Sequence, residues 1–164
     1  MNTLDISAIN LKAPYKVRYN NVKILFKTDS NITYSISFEY YEELLKVKSF
    51  WFILSNLSQK PSPLDLKLRD TVICVVEEFF NKNPDILLYM CDTADDQQAM
   101  RNRLFLRWFN TYELKEKYLV LNEMIPDEGQ ENYVTLIMPH NHPKAEEITA
   151  YFNETISLFK ADKP

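Results

Sequence analysis

The chain has 164 residues, 46% hydrophobic and 13% aromatic, so it holds enough apolar side chain for a real core and is not a disordered chain. Its net charge of -4 and pI near 5.3 argue against non-specific nucleic-acid binding as its main role. It contains a single glycine, Gly129, which excludes a P-loop and a dinucleotide fingerprint, since both need several glycines to bring backbone close to phosphate.

The start, Met1-Asn2-Thr3-Leu4-Asp5, has no basic stretch before an apolar one, so no signal peptide is expected. No apolar run reaches the length that spans a bilayer. Cys74 and Cys91 fall in apolar runs and read as small buried hydrophobes. The expectation is a cytoplasmic protein with no cofactor and no membrane partner.

Residues 1–13 carry no strong period and read as a loose N-terminal arm. Tyr15, Val17 and Tyr19 alternate with polar residues, as do Val22, Ile24 and Phe26, and then Ile32, Tyr34, Ile36 and Phe38. Asn20-Asn21 and Asp29-Ser30-Asn31 separate these runs, so the pattern predicts an antiparallel β-meander with one polar face. Tyr40–Lys48 has Tyr41, Leu44, Leu45 and Lys48 at helical spacing and reads as a short helix. Phe50–Leu57 reads as another strand, with an edge position one option.

Pro61-Ser62-Pro63-Leu64-Asp65 looks like a helix start, with Ser62 as cap, Pro63 in the first turn and Asp65 closing a capping box. Leu68, Val72, Val76, Phe79 and Phe80 face inward, and Asn83-Pro84 stops the helix. Glu77 and Glu78 are neighbours on a helix and point different ways, so they read as a solvated face rather than an acid–base pair.

Asp85–Cys91 is apolar on both alternating faces and reads as a central strand. Thr93 then looks like an N-cap with Asp96 reaching back to it, and the helix runs to about Asn110. Arg101, Leu104, Phe105, Trp108 and Phe109 share one face. A guanidinium on a buried stripe is costly unless paired, and Asp92 is its nearest acid, with Asp95 and Asp96 next and Asp70 or Glu77 of the preceding helix as further candidates. Two readings stay open: a structural pair fixing strand to helix, or an anion or substrate site at the carboxyl end of a strand. Arg103 and Arg107 lie on a more outward face.

Tyr118–Ile125 and Tyr133–Met138 read as a β-hairpin whose polar connection holds Gly129. His140 and His142 lead into a last helix with Ile148, Phe152, Ile156 and Phe159 inward. These are the chain's only histidines, and a metal would need a third ligand such as Cys91 or Asp92; loop and cap roles are the plainer reading. Pro84-Asp85 with Glu113-x-Lys115 matches a nuclease pattern only superficially, because the pair follows a long helix instead of lying on a strand. Tyr15, Tyr19, Tyr40, Tyr41, Trp51 and Tyr112 cannot all be core, and tyrosine and tryptophan beside arginine favour protein contacts.

Cys91-Asp92-Thr93-x-Asp95-x-x-Gln98-x-x-Arg101-x-Arg103-Leu104-Phe105-x-x-Trp108-Phe109 resembles an uncharacterised bacterial family, a Bacteroidetes-type domain of unknown function. Asp65-x-Lys67-x-x-x-Thr71-Val72 and Asn141-x-Pro143 are weaker echoes of it. The resemblance implies Gly-Arg after the second acid, where this chain has Asp96-Gln97. It implies a bacterial source and no established activity.

The expected fold is a single α+β domain over residues 1–164, an antiparallel or mixed sheet with an N-terminal β-meander and helices mainly on one face. The expected function is a non-enzymatic interaction or regulatory module with a protein partner or a second copy of itself. Arg103, Arg107 and Tyr112 are the candidate surface for it. The rival is a small-anion-binding protein or enzyme centred on Asp92, Asp95, Asp96 and Arg101.

Overall fold

A computed structural model describes residues 1–42, 47–91 and 97–161, with the side chains of Gln98 and Tyr112 outside that description. In chain order the elements are α1 (Ile6–Lys12), β1 (Arg18–Asn20), β2 (Lys23–Lys27), β3 (Thr33–Tyr41), β4 (Ser49–Asn56) and α2 (Leu66–Lys82). There follow β5 (Ile86–Met90), α3 (Gln98–Phe109), α4 (Tyr112–Lys117), β6 (Tyr118–Asp127), β7 (Gln130–Pro139) and α5 (Ala145–Ala161). The strands form a mixed seven-stranded sheet in the order β1-β2-β3-β4-β5-β7-β6. The α+β class and the opening β-meander are as the sequence predicts.

The chain divides into two compact units, one holding residues 1–39 and 52–84, the other residues 40–51 and everything from Asp85 on. In the first unit β1, β2 and β3 pair antiparallel. Asn21 and Asn31 take the positive φ of the turns, 57° and 63°, in place of glycine. The inward side of the alternation is buried at Ile24, Phe26, Tyr34 and Ile36. Phe26 lies between the rings of Tyr15 and Tyr34, at 6.2 and 5.6 Å, so Tyr15 is a core residue and not part of an exposed aromatic surface.

The cap of α2 is Asp65, three residues later than the Ser62 the sequence suggested. Its carboxylate accepts the Lys67 and Leu68 amides at 2.9 and 3.1 Å, and the Tyr15 hydroxyl at 2.7 Å. Thr71 accepts the Tyr15 amide at 3.2 Å, while Lys67 pairs with Asp29 at 2.8 Å. Asp65, Lys67 and Thr71 thus bind the first turns of α2 to the segment around Tyr15. Asn83 closes the helix, as expected.

Residues 1–13 are not a loose arm. Asp5 caps α1, Leu4 and Ile9 are each 2% exposed, and the Asn2 amide donates to the Asn83 side chain at 2.8 Å. The Asp5 amide donates to Glu78 Oε1 at 3.0 Å, and Glu78 is buried rather than solvated. Docking of α1 covers a carboxylate that the helix register alone leaves facing water.

In the second unit Tyr40 and Tyr41 continue β3, so this part of the expected Tyr40–Lys48 helix is extended; residues 43–46 of it lie outside the described residues. The Tyr41 ring stands 5.5 Å from Trp51, and the Ser49 hydroxyl donates to the Tyr41 carbonyl. Ring packing across the two chain segments outweighs the weak helical spacing. The start of β4 pairs parallel with β5 through Ser49↔Ile86 and Trp51↔Leu88, so β4 is not an edge strand.

β5 pairs antiparallel with β7, and β7 with β6 in a hairpin turned at Glu128-Gly129 with φ of 49° and 80°. One face of these strands carries Ile86, Leu88, Val134, Leu136 and Met138 against Ile148, Phe152 and Ile156 of α5. The other face carries Tyr89 and Thr135 beneath α3. In this unit the central strand is covered on both faces, because a strand apolar on both sides must be buried on both. Phe159 lies beyond this core and is 45% exposed, where the α5 stripe predicted it inward.

Candidate functional site

Asp92, Thr93, Asp95 and Asp96 lie outside the described residues, and with them the proposed pair between Asp92 and Arg101 and the Thr93 cap. Arg101 sits half-buried in the first turn of α3. Its charge acts on the Cys91 thiol at the end of β5. Burial pushes that thiol up and outweighs the Tyr89 hydrogen bond and the Arg101 charge, which both pull it down. Cys91 therefore stays a neutral thiol, the opposite of an activated nucleophile.

α3 is held to the sheet by its inner side. Phe105 stacks on Tyr89 with ring centroids 3.9 Å apart, and Trp108 and Phe109 are buried beside it. Asn102, which the apolar spacing passes over, is 5% exposed. It exchanges amide hydrogen bonds with Asn122 of β6 at 3.3 and 2.7 Å, and Asn122 donates to Thr135 of β7 at 2.7 Å. A buried amide pair of this kind fixes the helix in one register, because any slip leaves polar groups unsatisfied.

The outer side of α3 carries Arg103 and Arg107, both exposed, one turn apart. They border a groove of about 770 Å³ at the start of β6, lined also by Leu106, Phe109, Lys115, Tyr118, Val120 and His140. Among the described residues its lining includes three cations and no carboxylate. The sequence reads Lys115 with Arg103 and Arg107 as part of a local basic face that Glu113 and Glu116 interrupt, and the three line one groove here. The Tyr112 side chain lies outside the described residues.

The histidines have structural work. His140 Nε2 lies 2.8 Å from the Lys115 carbonyl, and its amide donates to Lys117 at 3.0 Å, so it closes the end of α4. A carbonyl only accepts, so Nε2 carries the proton there. His142 Nδ1 accepts the Lys144 amide at 3.1 Å just ahead of α5. Among the described residues no three His, Cys, Asp or Glu stand together in position to hold a metal ion. Glu113 and Lys115 lie on the short helix α4, not on a strand.

The model of a family of unknown function, DUF6169, matches residues 64–154, more than half of the chain. The chain belongs to the DUF6169 family. The whole groove lining, from Arg103 to His140, falls inside the DUF6169 match, as do Asp65, Asn102 and Asn122. A comparison with curated proteins finds no match.

Proposed function

We propose that this DUF6169 chain is a non-enzymatic protein-binding module of the bacterial cytoplasm, and that its groove takes an acidic segment of a partner. One observation carries the reading: among the described residues, Arg103, Arg107 and Lys115 line the groove with Leu106, Phe109, Tyr118 and Val120 and no carboxylate joins them, on a chain whose net charge is -4. Arginine beside buried aromatic and aliphatic surface is what protein interfaces favour. A guanidinium presents a planar fork of N–H donors that suits a carboxylate, so the two arginines fit the holding of an anion. The free thiols of Cys74 and Cys91 suit a reducing compartment.

The test is fluorescence polarisation with a labelled Glu/Val-rich peptide and its Gln/Val counterpart. Wild type is expected to bind the acidic peptide and not the neutral one. The Arg103→Glu, Arg107→Glu double variant is expected to bind at least about tenfold more weakly, the loss of one or two charge-assisted contacts. Equal binding by wild type and the double variant overturns the reading.

A further inference from the structure

Among the described residues β6 is the last strand of the sheet, so one of its edges has no neighbouring strand there. Which of its residues face that edge follows from the register. Tyr118 stands opposite Pro139, and proline has no N–H, so that pair is one of the non-bonded pairs of an antiparallel ladder. At the adjacent position His140 donates to the Lys117 carbonyl at 3.0 Å, which makes that pair a bonded one. With strict alternation, Leu119, Leu121, Glu123 and Ile125 direct their backbone groups to β7. Tyr118, Val120, Asn122, Met124 and Pro126 direct theirs outward. Pro126 fits this phase, since an outward position is where a sheet tolerates proline. The Tyr118 amide is taken by the Leu114 carbonyl at the end of α4. The outward N–H and C=O groups of Val120, Asn122 and Met124 make no hydrogen bond among the described residues.

The first residues of β6, Tyr118, Leu119 and Val120, line one groove with Arg103, Arg107 and Lys115. Asn102 meets Asn122, while Phe109 lines the groove with Tyr118, so α3 runs antiparallel along β6. Arg103 and Arg107 are four helical residues apart, a rise of about 6 Å. Alternate residues of an extended strand are about 6.7 Å apart. Two carboxylates at alternate positions of a strand laid on β6 therefore match the two arginines.

We infer that the partner segment binds as an added β-strand on the free edge of β6, with acidic residues in an Asp/Glu-x-Asp/Glu pattern facing Arg103 and Arg107. The proposal rests on the groove reading above and adds the mode of binding. A peptide is favoured over a nucleic acid because only an amide backbone matches the alternating N–H and C=O groups of Val120, Asn122 and Met124.

The experiment uses the full chain and a labelled Glu-x-Glu peptide of about eight residues, long enough for one strand. A set of peptides each N-methylated at one backbone position is measured beside it. Methylation at every second residue, those turned toward β6, is expected to weaken binding by about tenfold or more, and at the intervening residues to change little. Peptide binding is expected to slow amide exchange at Val120, Asn122 and Met124. Arginine-dependent binding that no N-methylation weakens, with those amides still exchanging freely, overturns strand addition and leaves the groove reading standing. Failure of the peptide to bind in an arginine-dependent way overturns the groove reading and this inference with it. Displacement of the peptide by an oligo-dT strand at equal charge overturns the assignment in favour of a nucleic acid.

Discussion

Asn122→Leu tests how α3, and so both arginines of the groove, is held in place. The change removes the partner of the Asn102 amide, which is 5% exposed, and of the Thr135 hydroxyl, which is fully buried. Each orphaned buried polar group costs about 1–3 kcal/mol. The new leucine recovers part of this, since Asn122 is only half-buried and a buried methylene is worth about 0.8 kcal/mol. The expected net loss is about 2–4 kcal/mol. Urea unfolding followed by tryptophan fluorescence reports it, because Trp108 is buried on the same helix. The triple variant Asn102→Leu, Asn122→Leu, Thr135→Val removes all the polar groups together and is expected to recover most of the loss, since matched apolar replacement is close to neutral. An Asn122→Leu protein within about 0.5 kcal/mol of wild type refutes the argument, as does a triple variant whose loss is the sum of the single ones.

Two further predictions concern the first unit and the end of β5. Asp65→Ala loses a helix cap, worth about 1 kcal/mol, and leaves the buried Tyr15 hydroxyl without its charged acceptor, so a total of about 2–4 kcal/mol is expected. Tyr15→Phe then costs less in the Asp65→Ala background than in wild type, and strict additivity in thermal melts counts against the network. Cys91 supplies a pH dependence: its folded pKa is raised by burial, so its contribution is fully present below the unfolded value of about 8.5 and is lost as pH rises beyond it. Urea stability of wild type is expected to fall more steeply above about pH 8.5 than that of Cys91→Ala, and parallel curves refute the assignment.

Local pattern made much of this fold legible. The β6–β7 hairpin follows from two apolar runs around a polar, glycine-bearing turn, and α5 from Ile148, Phe152 and Ile156 at helical spacing. β5 reads as central because it is apolar on both faces, and pairing with β4 and β7 places it there. Where sequence and structure differ, the cause is contact beyond the local segment. Tyr15, Tyr40 and Glu78 take their places from groups outside their own elements: Phe26 beneath Tyr15, Phe50 beside Tyr40, and the Asp5 amide over Glu78.

The candidate site divides the same way. Sequence periodicity is a property of one helix, and it suffices to turn Arg103 and Arg107 outward together. It says nothing of which strand ends the sheet, or of α4 bringing Lys115 beside them. Those depend on pairing between segments far apart in the chain, where the energy of closing a long loop and satisfying every backbone amide chooses the neighbour. The composition and the alternating runs by themselves determined an α+β chain with a buried core. Only the folded arrangement decided that β6 ends the sheet among the described residues and that its first residues share a groove with Arg103, Arg107 and Lys115, because an edge exists only once the other strands have found their partners.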